Sequence, residues 1–256
     1  MELLHSRIIG SGQPVVVLHG FLGMSDNWKS VGNRYAEHGF QVHLVDQRNH
    51  GRSFWSDSFN YTLMVEDLKN YLNHYSLENI LLLGHSMGGK TAMRFSCTYP
   101  QRVEKLLVAD IAPRYYPPHH QTIMEALSAV PRETLRSRVQ ADQILAGYLT
   151  DASIRQFLLK SLHWADRERL DFRFNLDVLR NKLIEVGEAL PEDLSFENPT
   201  LFLRGDQSDY IQEKDLELIH DHFPMARLET IERAGHWPHA ENAGQFISKS
   251  LEFMNS

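Results

Sequence analysis

The chain has 256 residues, 42% hydrophobic and 23% charged, the balance of an ordinary soluble protein with room for one sizeable core. A formal net charge of −7, with no block of like charge, disfavours nucleic acid and anionic membrane surfaces as partners. One cysteine, Cys97, excludes an internal disulfide; the N-terminal M-E-L-L-H-S-R-I-I lacks a basic leader and no apolar run spans a bilayer, so a cytoplasmic location is expected.

In chain order, residues 3–9 read as a strand, turned by G-S-G-Q-P into a second at 15–19. That strand runs into the loop H-G-F-L-G, His19 to Gly23. A helix is expected over 28–37 and a strand over 41–46, ending in the polar loop D-Q-R-N-H-G-R-S. There Asp46, Arg48, Asn49 and Arg52 read as a hydrogen-bonded brace. Residues 61–74 form an amphipathic helix with Met64, Leu68, Tyr71 and Leu72 on one side. The run I-L-L-L at 80–83 suits a strand buried on both faces, and helical periodicity sets in by Ala92. Another strand, 103–110, ends in D-I-A-P.

From about 113 to 190 only helical periodicity is visible, in four apolar stripes ending with Leu176, Leu179, Leu183 and Val186. Strand–helix alternation then resumes: strand 200–204, helix 214–222, strand 226–231, and a last helix to about 253. The pattern predicts an α/β protein with a mostly parallel sheet covered on both faces. Residues 1–112 and 191–256 would make the core, and 113–190 an inserted helical cap. Ligands of such sheets bind beyond the carboxyl ends of the strands.

Ser86 lies at that edge, inside G-x-S-x-G (Gly84 to Gly88) between a buried strand and a helix. A tight turn there exposes the hydroxyl at a helix N-terminus, where developing negative charge is favoured. A serine hydroxyl needs a base within hydrogen-bond reach. Of 14 histidines, His236 has the fitting context, in the loop after the last strand; His239 is the nearest competitor. His119 and His120 read as solvent-exposed, and Lys90 as a loop brace. Three carboxylates are available to orient the base: Asp110 after one strand, Asp206 and Asp209 after another. Neither a dinucleotide fingerprint, a Walker A pattern nor a metal-ligand spacing occurs, so no cofactor and no metal are expected.

Taken together, H-G-F-L-G, D-Q-R-N-H-G-R-S, G-H-S-M-G-G-K, D-I-A-P, Q-F-L-L-K-S and G-H-W-P-H-A-E resemble the α/β-hydrolase superfamily, closely its bacterial YbfF-type esterases. The resemblance extends from His19 to Glu241 and implies an eight-stranded, mostly parallel sheet with an inserted helical cap. The superfamily's usual G-x-x-D acid position is Ser208 here, a departure that favours Asp110, the aspartate of D-I-A-P, over Asp209. A serine carboxylesterase follows as the expectation: Ser86 nucleophile, His236 base, Asp110 acid, and an oxyanion hole from the Phe21 and Met87 N–H groups. Leu22, Phe157, Leu158, Leu162 and Trp237, with Trp164, would line an apolar acyl pocket for a small-molecule ester. A thioesterase using the same groups is the alternative, with Arg132, Arg136 and Arg138 as a patch for CoA phosphates. A catalytically silent scaffold binding a small ligand is the alternative of another class. The oligomeric state is left open.

Overall fold

The computed structural model of the protein describes residues 2–256. Its first half gives β1 (Ser6–Ile9), β2 (Gln13–Leu18), α1 (Lys29–Glu37), β3 (Phe40–Val45), α2 (Tyr61–His74), β4 (Ile80–His85), α3 (Met87–Thr98) and β5 (Val103–Ala109). Asn60 starts α2 by accepting the Leu63 N–H, which satisfies a donor the helix itself cannot. α3 begins directly after Ser86, five residues before the periodicity becomes visible at Ala92, because its first turn is glycine-rich.

Between β5 and the next sheet strand the chain makes α4 (Gln121–Ala129), α5 (Arg138–Ala146), α6 (Ala152–Lys160), β6 (Leu162–Trp164), β7 (Leu170–Phe172), α7 (Leu176–Asn181) and α8 (Leu183–Gly187). It returns through β8 (Thr200–Gly205), α9 (Leu216–His222), β9 (Ala226–Ile231), α10 (Pro238–Glu241) and α11 (Ala243–Asn255).

The sheet runs β1-β3-β2-β4-β5-β8-β9, with β1 antiparallel to β3 and every other pairing parallel. It has seven strands, not the eight that the resemblance implied. The two remaining strands, β6 and β7, pair with each other instead of extending it. Alternation along β4 explains the double burial. Leu81 and Leu83 join Val15, Val17, Leu107 and Leu201 on one face, against Val31 and Tyr35 of α1 and Phe246 of α11. Ile80 and Leu82 join Val16, Leu18, Leu106 and Phe202 on the other, against Leu68 and Leu72 of α2 and Met93 and Phe95 of α3. Each such fully buried side chain stabilises the fold by about 1.5–3 kcal/mol relative to exposure. Parallel strands all end at one edge, so the loops after β2, β4, β5, β8 and β9 converge there.

The segment from 113 to 190 was expected to be helical throughout; it also contains the β6–β7 hairpin. Three-residue strands are too short to show a period of two. The Arg138 guanidinium ties the hairpin down by donating to the Leu159 and Leu162 carbonyls. The fourth expected helix splits into α7 and α8 at Lys182, whose φ of −119° is not helical. The segment's apolar residues, among them Leu127, Leu145, Leu158 and Leu179, pack with Phe21, Leu22 and Met87 from the sheet edge. Its two ends are stitched side by side. Leu190 N–H donates to Pro113 O (2.8 Å), and buried Lys90 donates to the carbonyls of Arg114 (2.6 Å) and Glu188. Among the described residues, no helix is long and apolar enough to cross a membrane.

Candidate active site

Ser86 sits between β4 and α3 with φ +53° and ψ −119°, a backbone conformation a non-glycine residue holds only under constraint. Its N–H donates to Ala109 O of the neighbouring strand (3.0 Å), which anchors the turn. The crossing is tight enough to require glycine: a Cβ on Gly88 would stand 2.4 Å from Leu18 O. On the facing loop, a Cβ on Gly20 would meet His85 Nδ1 at 2.7 Å and the Ser86 Cβ at 3.3 Å. The H-G-F-L-G loop therefore lies against the elbow.

The structure brings Ser86, His236 and Asp110 together. His236 Nε2 is 3.0 Å from Ser86 Oγ, and its Nδ1 is 2.8 Å from Asp110 Oδ2. Asp110 is fully buried, at the end of β5 with φ +50°. Its Oδ1 accepts the Gly205 N–H (3.1 Å), and its Oδ2 also accepts the Ser208 hydroxyl (2.5 Å). With only acceptors on the carboxylate, the imidazole carries its proton on Nδ1 and offers the Nε2 lone pair to the serine. Ser208, at the position of the superfamily's usual acid, thus donates to the Asp110 carboxylate at the end of β5. Asp209 is exposed and its carboxylate does not meet His236. Asp206 instead braces the loop before His236, accepting the Ala234 N–H at 3.0 Å; backbone N–H groups of Arg233 and Ala234 lower its pKa.

Two backbone donors flank the serine. Met87 N–H belongs to the first turn of α3, which no intrahelical acceptor reaches, and neither it nor Phe21 N–H has a hydrogen-bond acceptor among the described residues. Histidines that sequence reasoning passed over hold the Phe21 loop. His19 donates from Nδ1 to Gly20 O (2.8 Å) and accepts the Gln47 N–H on Nε2 (3.0 Å). His50 accepts the Leu22 N–H (3.2 Å) and donates to Arg48 O (2.9 Å). Burial pushes the pKa of His50 down to about 3, so it stays a neutral acceptor. The expected brace is present as well. Asp46 accepts the N–H groups of Ser25 (2.6 Å) and Arg52 (2.9 Å), and Arg48 clamps Asp67 with two nitrogens.

A cleft of about 540 Å³, open to solvent, leads to Ser86 and is lined by Leu22, Phe157, Leu158 and Trp237. Leu162 does not line it, contrary to expectation: it lies in β6, 2% exposed, packed inside the segment's own core. Trp164, the last residue of β6, is 59% exposed at the surface. His120, expected in solvent, lines the cleft, and burial holds its pKa at about 3. His239 is not within bonding reach of the serine; it stacks on Trp28 at 3.9 Å. The ring of Tyr210, a residue with no sequence signal, stacks on His236. The three arginines expected as a phosphate patch are engaged: Arg132 with Asp177, Arg136 with Glu168, Arg138 with the hairpin carbonyls.

This arrangement of hydroxyl, imidazole, carboxylate and free backbone donors is that of acyl transfer through a serine. Residues 13–160 match the model of the alpha/beta hydrolase fold family. The chain is 34% identical over 248 residues to the Escherichia coli esterase YbfF, covering 96% of this chain and 94% of that one. It is 36% identical over 247 residues to the mouse sn-1-specific diacylglycerol lipase ABHD11, covering 94% of this chain and 80% of that one. A solved structure described as a marine microorganism esterase superposes with a TM-score of 0.95 at 40% identity, covering 99% of this chain and all of that one. The chain belongs to the α/β-hydrolase family, among its YbfF-like esterases.

Proposed function

We propose that the protein is a cofactor-free serine carboxylesterase whose nucleophile is Ser86, base His236 and acid Asp110. The observation that carries the proposal is the unbroken relay of hydrogen bonds, 3.0 Å from Ser86 to His236 and 2.8 Å from His236 to Asp110. Ser86 Oγ attacks the ester carbonyl carbon while His236 Nε2 takes its proton. The carbonyl oxygen becomes an oxyanion held by the Phe21 and Met87 N–H groups, each such donor being worth about 2.7–4 kcal/mol of barrier. Collapse breaks the bond to the alcohol, whose oxygen takes the proton back from the imidazolium. Water then gives a proton to Nε2 as it attacks the acyl-serine, and collapse releases the carboxylic acid while Nε2 returns that proton to Ser86 Oγ. Asp110 stays ionised and stabilises the imidazolium.

Leu22, Phe157, Leu158 and Trp237 contact the substrate, and residues 113–190 act as a cap over it, joined to a core of 1–112 and 191–256. The substrate is a small-molecule ester and the setting the cytoplasm. The mouse relative is named for cleaving diacylglycerol, and an acylglycerol fits the same chemistry. Hydrolysis of p-nitrophenyl butyrate tests the proposal: the parent protein turns it over and Ser86→Ala does not, whereas an inert parent would leave a silent scaffold.

A further inference from the structure

Two hollows meet at Ser86, and both are lined by Ser86 and His120. The broader, of about 540 Å³, contains the oxyanion loop, His236 and Trp237. The narrower, of about 330 Å³, lies over the start of α3 between Met87, Ile111, Leu183, Val186 and Tyr210. Resting on the esterase reading, we propose that Tyr210 sorts the two halves of the substrate. The acyl chain enters the narrower branch, and the alcohol occupies the broader cleft beside His236.

The assignment follows from the tetrahedral carbon. One of its substituents is Ser86 Oγ, and a second is the oxyanion facing Phe21 and Met87. The third, the leaving oxygen, must meet His236 Nε2 to receive its proton. Tyr210 covers one face of that imidazole, with ring centroids 3.7 Å apart and planes 17° apart. Accordingly His236 lines the broader cleft and Tyr210 the narrower one. Proton delivery is therefore available on the broader side alone, and the acyl carbon, which needs no proton, points the other way.

The linings agree with this division. Met87, Ile111, Leu183 and Val186 offer hydrocarbon to hydrocarbon, and the polar Lys90, Tyr116 and His119 of the same wall are already hydrogen-bonded within the protein. The broader cleft has the aromatic pair Phe157 and Trp237, 5.4 Å apart, and His239, whose buried Nδ1 has no hydrogen-bond partner among the described residues. The substrate class that fits is an ester of a short apolar acid with a bulkier, hydrogen-bonding or aromatic alcohol. Phe157 and Trp237, expected from sequence to hold the acyl chain, hold the alcohol instead.

Two activity ratios test the division, each from kcat/KM: p-nitrophenyl hexanoate over acetate for the acyl side, and benzyl over methyl butyrate for the alcohol side. Val186→Trp should lower the first ratio about tenfold or more and leave the second within about twofold. Val186→Ala should raise the first, which guards against a misfolded tryptophan variant. Phe157→Trp should change the second ratio and leave the first. The exchanged pattern, or ratios indifferent to all three variants, would overturn the division while leaving the esterase reading intact. A parent protein inert toward all four esters would instead defeat the esterase reading, and the division with it.

Discussion

Tyr210 lies flat against His236, its ring centroid 3.7 Å from that of the imidazole, and its hydroxyl is 2.5 Å from His119 Nε2. The Tyr116 hydroxyl donates to the Tyr210 carbonyl as well, so two residues of the 113–190 segment fix the aromatic plate. In the proposed mechanism His236 becomes a cation during acyl transfer. An aromatic face against a cation is worth about 0.5–2 kcal/mol, which translates to roughly 2- to 30-fold in rate. Tyr210→Ala should lower kcat by that factor, whereas Tyr210→Phe, which keeps the plate, should stay within about twofold. Equal losses in the two variants would assign the effect to the hydroxyl and not the stack.

The choice between carboxylates is open to a direct comparison. Asp110→Asn leaves the shape of the site but removes the acceptor that fixes the His236 tautomer, and kcat should drop by about 10⁴. Asp209→Asn, at an exposed position, should leave most activity. Ser208→Ala removes one donor to the Asp110 carboxylate and should cost on the order of tenfold. Steady-state kinetics on one p-nitrophenyl ester separates the three; near-normal turnover by Asp110→Asn would hand the acid's role elsewhere.

Acid should destabilise the fold independently of catalysis. Burial, the largest cause in each case, lowers the pKa values of His50 and His239 to about 3 from an unfolded value of 6.5. Because the folded values are depressed, the stability these neutral rings support is fully present above about pH 6.5 and lost as the pH falls from there toward 3. Each group contributes up to about 1.4 kcal/mol per pH unit within that window. Thermal unfolding followed by circular dichroism should show Tm falling steadily below about pH 6, with a shallower fall in His239→Phe. A Tm flat down to about pH 4.5 would contradict the buried neutral assignment.

Lys90 is 3% exposed, donates to the carbonyls of Arg114 and Glu188, and sits 4.9 Å from the Tyr116 ring centroid. Burial, reinforced by Arg114, brings its pKa down to about 7. Lys90→Met keeps the length and strands those carbonyls without a donor. It should lower stability by about 1–3 kcal/mol and open the 113–190 segment to limited proteolysis near its ends. Unchanged Tm and unchanged cleavage would show that the junction holds without the ammonium.

The elbow was legible because its constraints are local. Gly84, Ser86 and Gly88 lie within five consecutive residues, and the run Ile80 to Leu83 advertises double burial. His236 was legible from its place after the last strand. The carboxylate was harder: Asp110 and Asp209 each follow a strand, and only the three-dimensional approach of β5 and β8 brings Asp110 to the imidazole. The pocket was harder still. Leu158 and Leu162 share a helical period, yet the chain leaves α6 at Lys160 and turns Leu162 into a hairpin strand. Nothing in sequence marks Tyr210 or His50, whose partners lie on other loops and depend on the whole fold.

The most direct measurement is covalent labelling with a fluorophosphonate, mapped by peptide mass spectrometry in the parent protein and in His236→Ala. A single adduct on Ser86 in the parent, with labelling of the variant slowed by orders of magnitude, is the predicted result. An unlabelled Ser86, or equal labelling without the imidazole, would contradict a serine activated by His236.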